Sequence, residues 1–130
     1  MNRENRSAVF GRFSWHMPRE LDLEAMQAGS RMLVGEKDYT AWANNTDDAG
    51  TPVREVFKCD VRKRKSFVLV YVEANAFLRG MVRNIVGTLV DVGIGKREPD
   101  EINEITRAGK RELAGPSAPA SGLTLVRVRY

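Results

Sequence analysis

The most continuous extended apolar run is "SFVLVYVE", residues 66–73, where Phe67, Leu69 and Tyr71 interleave with Val68, Val70 and Val72. An extended chain would be apolar on both faces there, which places this strand near the middle of a sheet. The β-branched run of residues 53–62 predicts a strand before it, and Arg62, Lys63, Arg64 and Lys65 are expected to form the turn between the two. The spacing changes in "ANAFLRGMVRNIVGTLVDVG". There Phe77, Met81, Ile85 and Leu89 fall in one row at a 3.6-residue period, and Leu78, Val82, Val86 and Val90 fall in the next. This predicts a helix over residues 77–92, ended by Gly93 and Gly95.

Weaker patterns complete the series. "VFGRFSWHMP", residues 9–18, is aromatic and extended and closes at Pro18. Asp22 can cap a helix over residues 23–34, in which Leu23, Met26 and Leu33 recur near helical spacing and Gly35 is the stop. A polar loop, residues 44–52, follows the aromatic pair Tyr39 and Trp42. Pro99 opens a shorter amphipathic helix that runs to about Arg107. The closing "GLTLVRVRY" reads as a strand. This order predicts an α+β fold, a single, mainly antiparallel mixed sheet with helices packed on one face.

At 130 residues the chain is one domain's worth and long enough to bury a core. One cysteine (Cys59) and one histidine (His16) leave no intrachain disulfide and no Cys/His cluster with metal spacing, so both are read as structural. No apolar run approaches the roughly 20 residues that span a bilayer, and "MNRENRSAVFGRF" lacks a signal-peptide centre, so a cytoplasmic protein without membrane contact is expected.

The formal net charge is +4. Residues 53–65 alone carry Arg54, Lys58, Arg62, Lys63, Arg64 and Lys65 against Glu55 and Asp60, so one hairpin equals the whole surplus. Such a cluster either keeps a sheet edge soluble or touches RNA phosphates.

Arg79 and Arg83 stand one helical turn apart beside Gly80, Asn84, Gly87 and Thr88. That face is polar but unusually small, and small residues let another backbone come close. An arginine fixed there offers a planar fork suited to a carboxylate or a phosphate; the alternative is a pair of solvated arginines. Tyr39, Trp42 and Trp15 are either core residues or stacking surfaces for RNA bases.

"EANAFLRGMVRNIVGTLVDVG" resembles the signature of the C-terminal half of the tRNA pseudouridine synthase A family. Three further segments agree in order. "GEKDYTAW" is similar to the family's Gly-x-x-Asp-Phe-x-Ser-Phe segment, "TPVREV" to its Thr-x-Arg loop, and "AGPSAPASGLTLVRVRY" to its C-terminal Ala-Pro, Gly-Leu and strand run. The resemblance covers residues 7–130. It implies isomerisation of uridine to pseudouridine in the anticodon stem-loop of tRNA: the base leaves its ribose nitrogen link, turns, and rejoins through carbon. It also implies no cofactor or metal, tRNA as partner, and a homodimer for the full-length family.

Residue by residue, Arg83 matches the arginine of the family's Met-Val-Arg-Asn motif, which pairs with the catalytic aspartate. Leu123 matches the Gly-Leu position that packs near the target base, or is an ordinary strand residue. Arg79, Arg62, Lys63, Arg64 and Lys65 are the expected tRNA contacts, while Phe77 and Leu78 are assigned to packing. The aspartate motif Arg-Thr-Asp-x-Gly-Val-His and the base-stacking tyrosine of the family belong to its N-terminal half, and this sequence contains neither. "NTDDAGTP" is no substitute: two residues separate Asp47 from Gly50, Asp48 lacks a preceding threonine, and Val-His does not follow, so the stretch reads as a turn. The chain is thus expected to be the C-terminal half of a pseudouridine synthase, inactive alone. The alternatives are a stand-alone RNA-binding or scaffold module, or an enzyme completed by a separate N-terminal partner.

Overall fold

The computed structural model describes residues 7–16, 20–45 and 50–129. Five strands of the described residues form one sheet: β1 (Ser7–His16), β2 (Gly35–Asp38), β3 (Val53–Arg64), β4 (Phe67–Ala74) and β5 (Leu123–Arg129), in the order β2-β3-β4-β1-β5. Among the described residues three helices, α1 (Leu23–Arg31), α2 (Met81–Gly93) and α3 (Glu101–Ala108), complete the α+β fold. The strand with apolar residues on both faces, β4, is the central one, as that pattern predicts. Every strand pairing is antiparallel, so the expected mixed character is absent among the described residues: β1 runs against both β4 and β5, and β3 runs against both β2 and β4.

The helices pack on one face. Val68, Val70, Val72 and Ala74 of β4 and Val56, Cys59 and Val61 of β3 are buried there with Met26 of α1, Val82, Ile85, Val86 and Leu89 of α2, and Ile102 of α3. Each valine, leucine, isoleucine or methionine among them contributes on the order of 1.5–3 kcal/mol by leaving water. On the opposite face, Leu69 and Tyr71 are half-buried and Phe67, Arg12, Lys58 and Arg62 are exposed.

The structure moves several predicted boundaries, each for a local reason. The Asp22 carboxylate does cap α1, accepting from Ala25 N at 3.1 Å, but the helix stops at Arg31. Gly35 instead opens β2, a short edge strand of charged residues ("GEKD") that carries no apolar alternation from which a strand can be read. The hairpin turn is only Lys65 and Ser66, with Lys65 at φ 57°, and Arg62, Lys63 and Arg64 belong to β3.

Most consequential is α2. It starts at Met81 and not at residue 77, because Gly80 adopts a left-handed φ of 72° and breaks the helical path. The loop before it is fixed by Asn44 N donating to Arg79 O (3.0 Å), and a Cβ at Gly80 would lie 2.4 Å from the Asn44 side chain.

Candidate functional site

α2 buries its apolar rows against the sheet and turns Arg83, Asn84, Gly87, Thr88 and Asp91 the other way, a spacing that lines one side of a helix. The small residues on this side have a direct purpose: the C-terminal loop, residues 114–118, lies against them. A Cβ on Gly87 would sit 1.6 Å from Pro116 O, so backbone occupies the space a side chain would take. Gly115 N donates to Thr88 Oγ1 (2.8 Å), and Thr88 Oγ1 donates to Asn84 O (2.9 Å). Further along, Arg97 bridges Asp91 (Nε to Oδ2, 3.2 Å) and Leu113 O (Nη1, 2.6 Å), holding the start of the same loop.

Asn84 is fully buried and uses its whole amide. Nδ2 donates to Trp42 O (2.8 Å) and Asn44 Oδ1 (3.0 Å), while Oδ1 accepts from Arg111 Nη2 (3.0 Å) and from Ser117 Oγ. A buried amide with both protons and both lone pairs engaged costs little to bury and permits one rotamer.

Arg83 is clasped to the loop at two points. Its backbone carbonyl accepts from Ala118 N (3.0 Å), and its Nε donates to Ala118 O (2.7 Å). The guanidinium is half-buried, and among the described residues Nη1 and Nη2 donate to nothing and no carboxylate pairs with it. With Nε engaged, the fork remains open only end-on, through its two terminal nitrogens. That is one of the two ways an arginine takes a carboxylate or phosphate with parallel hydrogen bonds.

The other predicted site residues are distributed differently. Arg79 is exposed in the loop before α2 and so shares no helix face with Arg83, a correction that follows from Gly80. Leu123 opens β5 opposite Phe13, half-buried and packed on the core, five residues beyond the Ala118 clasp. Next to it a cavity of about 500 Å³ is lined by residues that include Ser14, His16, Phe67, Pro119 and Gly122. Arg62, Lys63, Arg64 and Lys65 are all exposed at the β3–β4 hairpin. Arg62 pairs with Asp60 at 2.8 Å and lines a second cavity, of about 580 Å³, with Phe10, Arg12 and Tyr71 on the helix-free face. No hydrogen bond or ion pair among the described residues joins this hairpin to Arg83.

Tyr39 and Trp42 are not stacking surfaces, because both are fully buried. The Tyr39 hydroxyl lies 2.6 Å from Leu33 O and 2.9 Å from Gly35 O, and burial raises its pKa well above the ordinary tyrosine value. Trp42 Nε1 donates to Thr106 Oγ1 (3.0 Å). Of Trp15 only the strand backbone is described, and Thr46, Asp47 and Asp48 lie outside the described residues. Burial, with a smaller effect of the Asp60 charge, pushes the Cys59 thiol up to about 12, which keeps it protonated and unreactive. His16 meets the Phe67 ring edge-on at 5.4 Å. Arg111, Ser117, Asp91 and Arg97 were not singled out in the sequence. The one available signal is Asn84, an amide on the small polar side of α2.

An antiparallel α+β sheet whose longest helix presents an arginine clasped by a loop carbonyl, and unpaired among the described residues, is therefore the frame to which family comparison adds a name. A family described as tRNA pseudouridine synthase matches residues 30–130, and the chain belongs to that family. Among curated relatives, tRNA pseudouridine synthase A of Syntrophotalea carbinolica is 46% identical over 125 residues, covering 96% of this chain and 50% of the relative. The proteins of the same name from Brevibacillus brevis (45% over 119 residues; 92% of this chain, 49% of the relative) and Coxiella burnetii strain Dugway (38% over 130 residues; 99% and 49%) are similarly related. The chain spans about half the length of the curated relatives it matches.

Proposed function

We propose that this chain is the C-terminal half of a tRNA pseudouridine synthase that isomerises uridine to pseudouridine in the anticodon stem-loop, in the cytoplasm and without a cofactor. The observation that carries the reading is Arg83, a half-buried guanidinium held by Ala118 O with its two terminal nitrogens unengaged among the described residues. A carboxylate brought end-on to that fork would be kept ionised and oriented, which is what an aspartate nucleophile requires. The aspartate comes from the other half of the enzyme. Leu123 forms part of the wall beside the target base. Arg62, Lys63, Arg64 and Lys65, exposed together at one hairpin, contact tRNA phosphates with Arg79, because neutralising phosphates is what sequence-independent affinity demands. The full-length protein works as a homodimer.

The test joins this chain to the N-terminal half of the Syntrophotalea carbinolica relative and measures pseudouridine formation in tRNA. The joined protein should turn over and the isolated chain should not. Arg83→Met in the joined protein should lower kcat by about 10²-fold or more, with a smaller change in tRNA affinity. Turnover by the isolated chain, or an Arg83→Met enzyme with normal kcat, refutes the assignment. tRNA binding by a chain that no N-terminal half can activate would leave a stand-alone RNA-binding module.

A further inference from the structure

Arg83 does not hold itself in place. Its Nε acceptor is a loop carbonyl, Ala118 O, so the direction of the guanidinium is only as fixed as residues 114–118 are. Arg111, in the turn before that loop, is the side chain that spans it. Its Nη1 donates to Gly115 O (2.9 Å), and its Nη2 donates to Asn84 Oδ1 (3.0 Å) and reaches Ser117 Oγ at 3.4 Å. Ser117 Oγ itself donates to Asn84 Oδ1. One planar cation thus ties the first residue past Ala114, the residue before Ala118, and the α2 residue adjoining Arg83 into a single unit. Among the described residues Arg111 pairs with no carboxylate, so its charge is spent on loop and amide oxygens alone.

We infer that Arg111 is a positioning residue for Arg83: by fixing the loop to Asn84 it sets the Ala118 carbonyl and, through it, the direction in which the Arg83 fork opens. The inference rests on the reading of Arg83 given above. A lysine cannot replace it fully. An ammonium is a point donor and cannot span Gly115 O and Asn84 Oδ1 with the fixed geometry of a guanidinium. The expected effect is on the chemical step and not on tRNA binding, since Arg111 acts on the placement of a group that contacts the nucleophile.

Two measurements test this. In the isolated chain, exchange of the Arg83 Nε–H with solvent, followed by nitrogen-15 NMR, should be slow and should speed up at least tenfold in Arg111→Met if the loop carbonyl is no longer held. In the joined enzyme, Arg111→Met should lower kcat by about 10- to 100-fold with tRNA KM almost unchanged, the size expected when a reacting group is displaced by about 1 Å. Arg111→Lys should recover part of that loss, and Arg111→Met should add little to Arg83→Met, because both act through one group. An unmoved exchange rate overturns the inference. So does an unmoved kcat in an enzyme that Arg83→Met disables, or a loss confined to KM. If Arg83→Met leaves turnover intact, the reading of Arg83 itself has failed, and the exchange experiment still decides whether Arg111 positions it.

Discussion

Replacing Gly87 with alanine probes the packing of the C-terminal loop on α2. In an exposed helix interior this change stabilises by about 1 kcal/mol, because glycine has more conformational freedom to lose. Here the added methyl would lie 1.6 Å from Pro116 O, 2.8 Å from Pro116 C and 3.3 Å from Ala118 N, so the loop backbone must move by more than an ångström. That shift breaks Gly115 N to Thr88 Oγ1, Ala118 N to Arg83 O and Arg83 Nε to Ala118 O. At about 1 kcal/mol each, the loss outweighs the helical gain. The expected net effect is a destabilisation of about 2 kcal/mol. Urea unfolding of the isolated chain followed by circular dichroism reads it as a lower midpoint at constant slope. In the joined enzyme the same variant should lose turnover, since the Ala118 clasp on Arg83 is gone. A Gly87→Ala chain as stable as its parent, or more so, would refute the close approach of loop and helix and the clasp argued from it.

Other expectations follow from the hairpin and the core. Lys65→Gly should stabilise the chain by about 0.5–1 kcal/mol in the same urea assay, because Lys65 occupies a left-handed φ of 57°. Replacing Arg62, Lys63, Arg64 and Lys65 together with glutamine should weaken tRNA binding and flatten the dependence of log K on log salt by up to roughly three units, with the fold intact; an unchanged slope removes the RNA role of the hairpin. The buried Cys59 should react with a thiol reagent near neutral pH only after unfolding. Because its folded pKa is raised to about 12, its contribution to stability is complete below the ordinary thiol pKa and is lost as pH rises toward 12. Alkaline titration of the unfolding midpoint should show that fall, and Cys59→Ala should lessen it.

Local pattern is enough for the α+β class, the central place of β4, the Asp22 cap and the apolar rows of α2, because residue spacing records which side of an element faces the core. It also marked the small polar side of α2 as a surface that another backbone approaches, since Gly87 and Thr88 beside Asn84 leave room there. What approaches was settled by tertiary structure alone: a loop some 30 residues further along the chain, brought in by the return of β5 to β1. The start of α2 likewise depended on a left-handed Gly80 packed against Asn44, and the place of Trp42 on Thr106, 64 positions further along. The edge strand β2 owes its existence to β3 and not to its own residues. Arg111, Asn84 and Ser117 are separated by up to 33 positions, and only the folded chain makes one hydrogen-bonded unit of them. Periodicity reports the face a residue turns to the core, whereas which oxygen a polar side chain reaches depends on chain closure, which no short stretch of sequence contains.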